Sequence, residues 1–189
     1  MQVATILPTP LLGQEHSNDY NMCLYHIVRD NPTYANYFKK LREEGKFVIM
    51  DNGAAEGVNP THEELMEVYG LVEPSEIVLP DVVYDKEETL KRTEEAYRAF
   101  TQAGLHEKYQ FMAVPQGANF TEWLSCMKTM IKQKHITTIG ISKFVTPRYQ
   151  REMGRDANVR MECVDAVLQE AYRLGREVQI HLLGCWDNP

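Results

Sequence analysis

The sequence lacks the patterns that mark several common classes of protein. It contains no uninterrupted run of about 18 apolar residues, so it predicts no transmembrane helix and no membrane partner. The opening stretch, MQVATILPTP, lacks the basic region and the longer apolar run of a secretory signal, which leads us to expect a cytoplasmic protein. No G-x-G-x-x-G or Walker glycine loop is present, so dinucleotides and ATP are not expected ligands.

Cysteine is also scarce, and its placement suggests no metal site. The chain has 4 cysteines, Cys23, Cys126, Cys163 and Cys185, with no C-x-x-C pair and no short Cys/His cluster. Its 6 histidines form no spaced group either. We therefore expect reduced thiols packed as small hydrophobes, with no metal and no cofactor.

Basic residues are outnumbered by acidic ones. The formal net charge of −7 at pH 7 argues against a protein that binds nucleic acid over its whole surface, although a local basic patch could still meet phosphates. A length of 189 residues with 43% hydrophobic content suits a single domain spanning residues 1–189. The sequence shows no internal repeat, low-complexity tract or linker.

Short apolar runs do recur along the chain, and each is followed by polar or glycine-containing residues. The runs cover residues 3–7, 47–50, 76–79, 109–114, 136–141 and 178–183. They do not alternate with polar residues, which is typical of strands buried on both faces. Helix-capping patterns lie between them, such as Asp85 with Glu88 and Asn119 with Glu122, while residues 18–45 also read as mainly helical.

This alternation of strands and helices predicts the fold class. It implies an α/β protein with parallel strands, hence a doubly wound sheet or a (β/α) TIM-type barrel. Six strands are visible rather than eight, and a usual barrel takes about 250 residues, so we expect a reduced or incomplete barrel of about six βα units. An incomplete barrel leaves strand edges that a second copy could cover, which would be a reason to form a homodimer.

In either architecture, ligands bind beyond the carboxyl ends of the strands. The residues at those ends are Pro8-Thr9, Asp51-Asn52-Gly53, Pro80-Asp81, Pro115-Gln116-Gly117, Ser142-Lys143 and Gly184-Cys185. Two carboxylates and a carboxamide match the donors and acceptors on the edge of guanine or a 7-deazaguanine, which predicts a purine or 7-deazapurine base as partner. The alternative is that Asp51 and Asp81 only cap turns.

The series DNG, LPDV, VPQG, IGIS and HLLG, in this order on successive strands, resembles the tRNA-guanine transglycosylase family. The resemblance covers about residues 45–185 and is greatest to the short forms that phages carry, which would place the protein in the host cytoplasm. It implies a (β/α)8 barrel that exchanges guanine for a 7-deazaguanine through a covalent ribosyl-aspartate intermediate.

Carried over position by position, the resemblance implies a role for each matching residue. Asp51 would touch the base and transfer a proton, and Asp81 would read the ring N–H and amino group of the base. Gln116 would donate to the carbonyl oxygen of the base. The base-binding candidates are Asn52, Gly53, Asp81, Gln116, Gly117, Gly140, His181, Leu182, Leu183 and Gly184. His181, on a buried strand, could equally be a hydrogen-bonded core histidine.

Two features depart from the family pattern. The family's nucleophilic aspartate follows the last motif on a further strand, whereas this sequence ends at residues 186–189, so the nucleophile has no aligned counterpart. Asp187 lies too near the sixth predicted strand to be carried over. The family's zinc subdomain has no match either, which puts tRNA as the substrate in doubt, and the sequence leaves DNA, tRNA and a free nucleoside open. Three readings stay open: Asp51 attacks the anomeric carbon itself, water does so in an N-glycosidic-bond hydrolase, or the nucleophile lies beyond this sequence. A non-catalytic purine- or nucleotide-binding protein is the alternative from another class.

A basic stretch follows the fifth predicted strand. It reads SKFVTPRYQREMGRDANVR, and its phosphate-binding candidates are Lys143, Arg148, Arg151 and Arg155, with Arg160 further along. Because it leaves the predicted binding face, it could hold phosphates that flank a bound nucleotide, and Tyr149 could stack on a base. The alternative is an ordinary solvated helix.

Overall fold

The computed structural model describes residues 2–12, 19–58, 60–153 and 158–184, apart from the side chain of Arg151. The strands are β1 (Thr5–Ile6), β2 (Tyr20–Leu24), β3 (Phe47–Asp51), β4 (Glu76–Val78), β5 (Gln110–Ala113), β6 (Ile136–Ile141) and β7 (Gln179–Leu182). The helices are α1 (Tyr25–Asp30), α2 (Pro32–Glu43), α3 (His62–Val72), α4 (Lys86–Gln102), α5 (Phe120–Met130), α6 (Val145–Met153) and α7 (Val159–Leu174). Strands and helices alternate from β2 onward, which confirms the predicted α/β class.

The chain divides into two compact units. Unit 1 consists of Met1–Val78 and Glu95–Gln110, and unit 2 consists of Leu79–Glu94 and Phe111–Pro189. The predicted binding residues are therefore distributed over both: Asp51, Asn52 and Gly53 belong to unit 1 and the others to unit 2. That the chain is a single domain stays a prediction.

Unit 1 is built on four parallel strands in chain order. β1 pairs with β2, β2 with β3 and β3 with β4, and the register places Leu24 beside Asp51. Its buried core consists of side chains from these strands and from α1 to α3, among them Tyr34, Phe38 and Tyr69. The ring of Tyr69 stacks on that of Phe100, with centroids 6.0 Å apart, so the second half of α4 completes this core.

Unit 2 contains three parallel strands, again in chain order. β5 pairs with β6 and β6 with β7, with a register shift between Phe111 and Met112. The fully buried Trp123 of α5 and Val167 of α7 belong to its core. β6 is covered on both faces as predicted, whereas β7 at the end of the strand order is not, because Gln179 and Leu182 are exposed. The expectation that the run 178–183 is buried on both faces is therefore wrong.

Helix starts follow the capping chemistry of the sequence. Glu88 N–H donates to Asp85 Oδ1 at 3.0 Å and Glu122 N–H to Asn119 Oδ1 at 2.9 Å, which confirms both predicted caps. α3 begins after Thr61, whose side chain and that of Glu64 form a reciprocal capping box. Helix α7 ends at a left-handed glycine, Gly175, with φ of 61°.

The prediction of a mainly helical segment 18–45 is wrong in its first part. Residues 20–24 form β2, so the described residues contain seven strands rather than the predicted six. β2 leads directly into α1 with Leu24 as N-cap, and its buried Asn21 interrupts the apolar run that marked the other strands. Neither a turn signal nor a continuous apolar run therefore identified it.

The described thiols behave as expected. Cys23, Cys126 and Cys163 are free and buried, and burial raises the pKa of Cys126 to about 11 and that of Cys163 to about 12. They are therefore protonated at neutral pH and unsuited to nucleophilic attack. In the same ranges, no helix has the length and apolar character that crossing a bilayer requires.

Candidate functional site

Asp81 and Gln116 form a buried hydrogen-bonded pair in unit 2, which we call the carboxylate–amide pair. Gln116 Nε2 donates to Asp81 Oδ2 at 2.6 Å. Asp81 is 6% exposed and Gln116 is 2% exposed. Because a hydrogen bond between buried side chains competes little with water, these two side chains fix each other's position.

Helix α4 holds the loop that carries Asp81. Thr93 Oγ1 donates to Pro80 O at 3.0 Å, just before Asp81. Just after it, Thr89 Oγ1 donates to Val82 O at 3.1 Å and accepts from Val82 N–H at 2.8 Å. Both threonines are buried. The backbone on either side of the carboxylate is thus fastened to a helix, which limits how far Asp81 can move.

Helix α6 holds the loop that carries Gln116 in the same manner. Tyr149, 1% exposed, donates its hydroxyl to Gly117 O at 2.8 Å. Arg148 Nε donates to Ala118 O at 2.9 Å, and Glu152 Oε2 accepts from Phe120 N–H at 3.1 Å. Three side chains of one helix therefore fix three successive parts of the loop. The expectation that Tyr149 stacks on a base is wrong, because its ring is buried within unit 2.

The backbone of Tyr84 sets the orientation of the Gln116 amide. Tyr84 N–H donates to Gln116 Oε1 at 3.1 Å, so the amide oxygen points to Tyr84 and the amide nitrogen to Asp81. Tyr84 adopts a left-handed backbone with φ of 67°, which is uncommon for a bulky residue. Gln116 Nε2 carries a second hydrogen, and a carboxylate has more acceptor sites than the one that Gln116 uses. The second hydrogen of the Gln116 amide is thus fixed in direction by the bonds to Tyr84 and Asp81.

Two predicted base-binding glycines serve the packing of unit 2. A Cβ at Gly117 would lie 2.8 Å from Glu122 C, so this glycine lets the loop approach the first turn of α5. A Cβ at Gly140 would lie 3.0 Å from Leu183 Cδ1 and Met112 Sδ. Both positions exclude a side chain because the protein itself fills the space, which does not require a ligand.

The carboxyl ends of β6 and β7 are joined by Arg160. Its Nη2 donates to Ile141 O at 3.1 Å and to Leu183 O at 2.9 Å. His181 on β7 has a lowered pKa, chiefly because of burial and also because of the Arg160 charge, so it is neutral at pH 7. Gly184 has φ of 64° and packs against the aliphatic chain of Lys143. Leu182 is exposed, which argues against a place in a pocket floor.

Unit 1 carries the other predicted site residues on one turn. Asp51 ends β3 and is half-buried, and its charge contributes to the raised pKa of Tyr69 after burial, the larger cause. Asn52 Oδ1 accepts from Ala54 N–H at 2.8 Å, which is an Asx turn, and Gly53 has φ of 81°. Asn52 and Gly53 therefore have clear roles in building the turn that follows Asp51.

The predicted phosphate-binding residues differ in how far they are described. The Lys143 ammonium lies 5.2 Å from the ring centroid of Phe144, and the Arg148 guanidinium carbon lies 5.1 Å from that of Tyr84. Both cations are thus placed over aromatic rings. The side chain of Arg151, and the whole of Arg155 and Asp187, lie outside the described residues.

Comparisons with known proteins leave the family open. No protein-family model and no curated protein matches this chain. Among the side chains described, no three His, Cys, Asp or Glu residues come together as a metal site would require. The function therefore has to be inferred from the geometry of the site residues, of which the carboxylate–amide pair is the best defined.

Sequence reasoning missed the residues that hold this pair. None of Tyr84, Thr89 and Thr93 carries a motif: Tyr84 lies in the loop after Asp81, and the two threonines lie on the buried face of α4. Glu152 was not among the predicted site residues, yet it anchors the loop of Gln116 through Phe120 N–H. Such supporting contacts depend on tertiary structure, which a single sequence does not show.

Proposed function

We propose that this protein recognises guanine or a 7-deazaguanine and exchanges it at an N-glycosidic bond in DNA or RNA, as the resemblance to the transglycosylases implies. We infer as well that the fold is a reduced relative of the (β/α) barrel, which the parallel pairing and the alternation of strands and helices support. Cytoplasmic localisation, a phage source and a homodimer stay predictions.

The carboxylate–amide pair carries the proposal. Guanine presents a carbonyl oxygen next to a ring N–H and an amino group. The second N–H of Gln116 can donate to that oxygen, while Asp81 can accept from the ring N–H and the amino group. Adenine presents the reverse order, an amino group next to an unprotonated ring nitrogen, and would place donor against donor. The fixed orientation of the Gln116 amide thus favours guanine over adenine.

Base exchange also needs an acid and a nucleophile. The reaction breaks the C1′–N9 bond of guanine, whose N9 takes up a proton, and forms a new C1′–N bond to the incoming base, which loses one. The role of Asp51 in proton transfer stays a prediction that the resemblance implies. That Asp51 also attacks C1′ stays a prediction, and it requires that an Asp51 variant lose turnover.

The experiment is an exchange assay with radiolabelled guanine and either single-stranded DNA or tRNA. Wild-type protein should transfer label into one of the nucleic acids, and Asp81→Asn should abolish transfer while its thermal unfolding stays close to wild type. Asp51→Asn should retain guanine binding and lose transfer. Release of unlabelled guanine without incorporation would instead identify a hydrolase.

Saturable guanine binding without any turnover would support the alternative, a purine-binding protein. The full burial of the three described thiols favours neither function, and attack by Asp51 is one of the three readings that the sequence leaves open. Absence of both binding and transfer would contradict the proposal.

A further inference from the structure

A cleft of about 530 Å³ lies in unit 2 and includes Tyr84, whose backbone orients the Gln116 amide. Its lining residues are Tyr84, Ala118, Pro147, Arg148 and Glu152. This volume lies within the range of about 300–1,000 Å³ that is usual for small-molecule sites. Tyr84 belongs to both features, because its N–H donates to Gln116 Oε1 and the residue also lines the cleft. A ligand in the cleft would therefore contact the residue that orients Gln116.

Arg148 provides a flat, fixed surface in this cleft. Its guanidinium carbon lies 5.1 Å from the ring centroid of Tyr84, and its Nε donates to Ala118 O at 2.9 Å. The Tyr84 ring is supported in turn by the edge of Phe144, with centroids 6.3 Å apart. Because Arg148 is exposed, the other face of its guanidinium is accessible to a ligand. Guanidinium planes and aromatic rings are the surfaces on which proteins stack unpaired nucleobases.

The remaining groups of the cleft restrict what could lie there. Glu152 holds Phe120 N–H with Oε2, and its carboxylate would repel a phosphate but accept from an exocyclic amino group. Arg148 has five N–H donors, of which the bond to Ala118 uses one, so its terminal nitrogens suit a phosphate oxygen. The cleft thus offers a stacking surface, a cation and an acceptor in one place.

We propose that this cleft binds a second nucleobase of a nucleotide strand, the neighbour of the base that the carboxylate–amide pair recognises. The second base stacks on the guanidinium of Arg148, and the intervening phosphate meets its terminal N–H groups. The left-handed backbone of Tyr84, an uncommon conformation held by the bond to Gln116, links the two sites. This inference rests on the proposed function.

The test compares the affinities of guanosine 5′-monophosphate and of the dinucleotides GpC and CpG by calorimetry. Cytosine is used because it carries an exocyclic amino group, and both orders are needed because either neighbour could occupy the cleft. At least one dinucleotide should bind wild type about 5- to 100-fold more tightly than the mononucleotide, the range expected for stacking one base. Arg148→Lys, which keeps the charge but loses the plane, should remove most of this advantage.

Two further variants make the result unambiguous. Arg173→Lys is the matched control, because Arg173 is an exposed residue of α7 that pairs with Glu170, and it should leave the advantage unchanged. Tyr84→Asn removes the ring but tolerates the left-handed backbone, and should reduce the advantage as Arg148→Lys does.

The proposal is overturned if neither dinucleotide binds more tightly than the mononucleotide, or if Arg148→Lys retains the full advantage. If the proposed function itself is wrong, the titrations give a different result. In that case guanine itself would fail to bind, and Asp81→Asn would bind every probe as wild type does.

Discussion

Gln116→Glu tests the carboxylate–amide pair by a change of one atom. The substitution replaces Nε2, which donates to Asp81 Oδ2 at 2.6 Å, with a second acidic oxygen. Two carboxylates cannot both stay charged at that distance in a site where Asp81 is 6% exposed, so the pair must take up a proton. The Tyr84 N–H can still donate to the other oxygen, which keeps the rest of the site unchanged.

The cost of that proton sets the expected loss of stability. A glutamate with an ordinary pKa of about 4.3 is protonated at pH 7.5 at a cost of about 4 kcal/mol, and at pH 5.0 at a cost of about 1 kcal/mol. The protonated acid then donates to Asp81, which replaces the lost hydrogen bond. Because the folded variant has a carboxyl pKa above that of the unfolded chain, its stability relative to wild type is lost as the pH rises from about 4.3.

Urea denaturation at the two pH values measures this difference. We expect Gln116→Glu to lower the free energy of unfolding by about 3–4 kcal/mol at pH 7.5 and by about 1 kcal/mol at pH 5.0. The double variant Asp81→Asn with Gln116→Glu exchanges the donor and the acceptor and should recover more than half of the loss at pH 7.5. A loss that does not depend on pH, or a double variant no more stable than Gln116→Glu, would refute the reasoning.

Other contacts give further predictions. Tyr149→Phe leaves the carbonyl of Gly117 without its partner and should cost about 1–2 kcal/mol of unfolding free energy. Gly117→Ala places a Cβ against the backbone of Trp123 and should cost at least about 2 kcal/mol, whereas Gly70→Ala, at a glycine with open space, should be neutral or stabilising; thermal unfolding compares the two. Burial, with the charge of Arg176, lowers the pKa of His135 to about 4, so the unfolded chain binds the extra proton and stability falls as the pH drops from 6.5 to 4. Since His135 is part-exposed, we expect His135→Gln to reduce that fall by only about 1 kcal/mol, and equal pH profiles for the two proteins would contradict this.

The sequence predicted the α/β class and most elements because each of the six predicted strands has a continuous apolar run between helix caps. Asp85 and Asn119 cap their helices through contacts within four residues, which local sequence specifies. β2 was missed because its buried Asn21 breaks the pattern and because Leu24 passes directly into α1. Local signals therefore succeeded where the interaction itself was local.

The candidate site was predictable in part, for the same reason. Asp81 and Gln116 could be named from their places after strands, but their bond joins residues 35 positions apart in the chain. The orientation of the Gln116 amide depends on Tyr84, and Tyr149 is buried with its hydroxyl bonded to Gly117 O, 32 positions away in the chain. No spacing in the sequence indicates such contacts, so the stacking role expected of Tyr149 was wrong.

The most direct test of the central claim is calorimetric titration of the protein with guanine and with adenine under identical conditions. If Gln116 donates and Asp81 accepts as their geometry supports, guanine should bind saturably and adenine at least about tenfold more weakly, since adenine would leave buried polar groups unpaired. Equal affinity for the two bases, or no binding of guanine, would contradict the account.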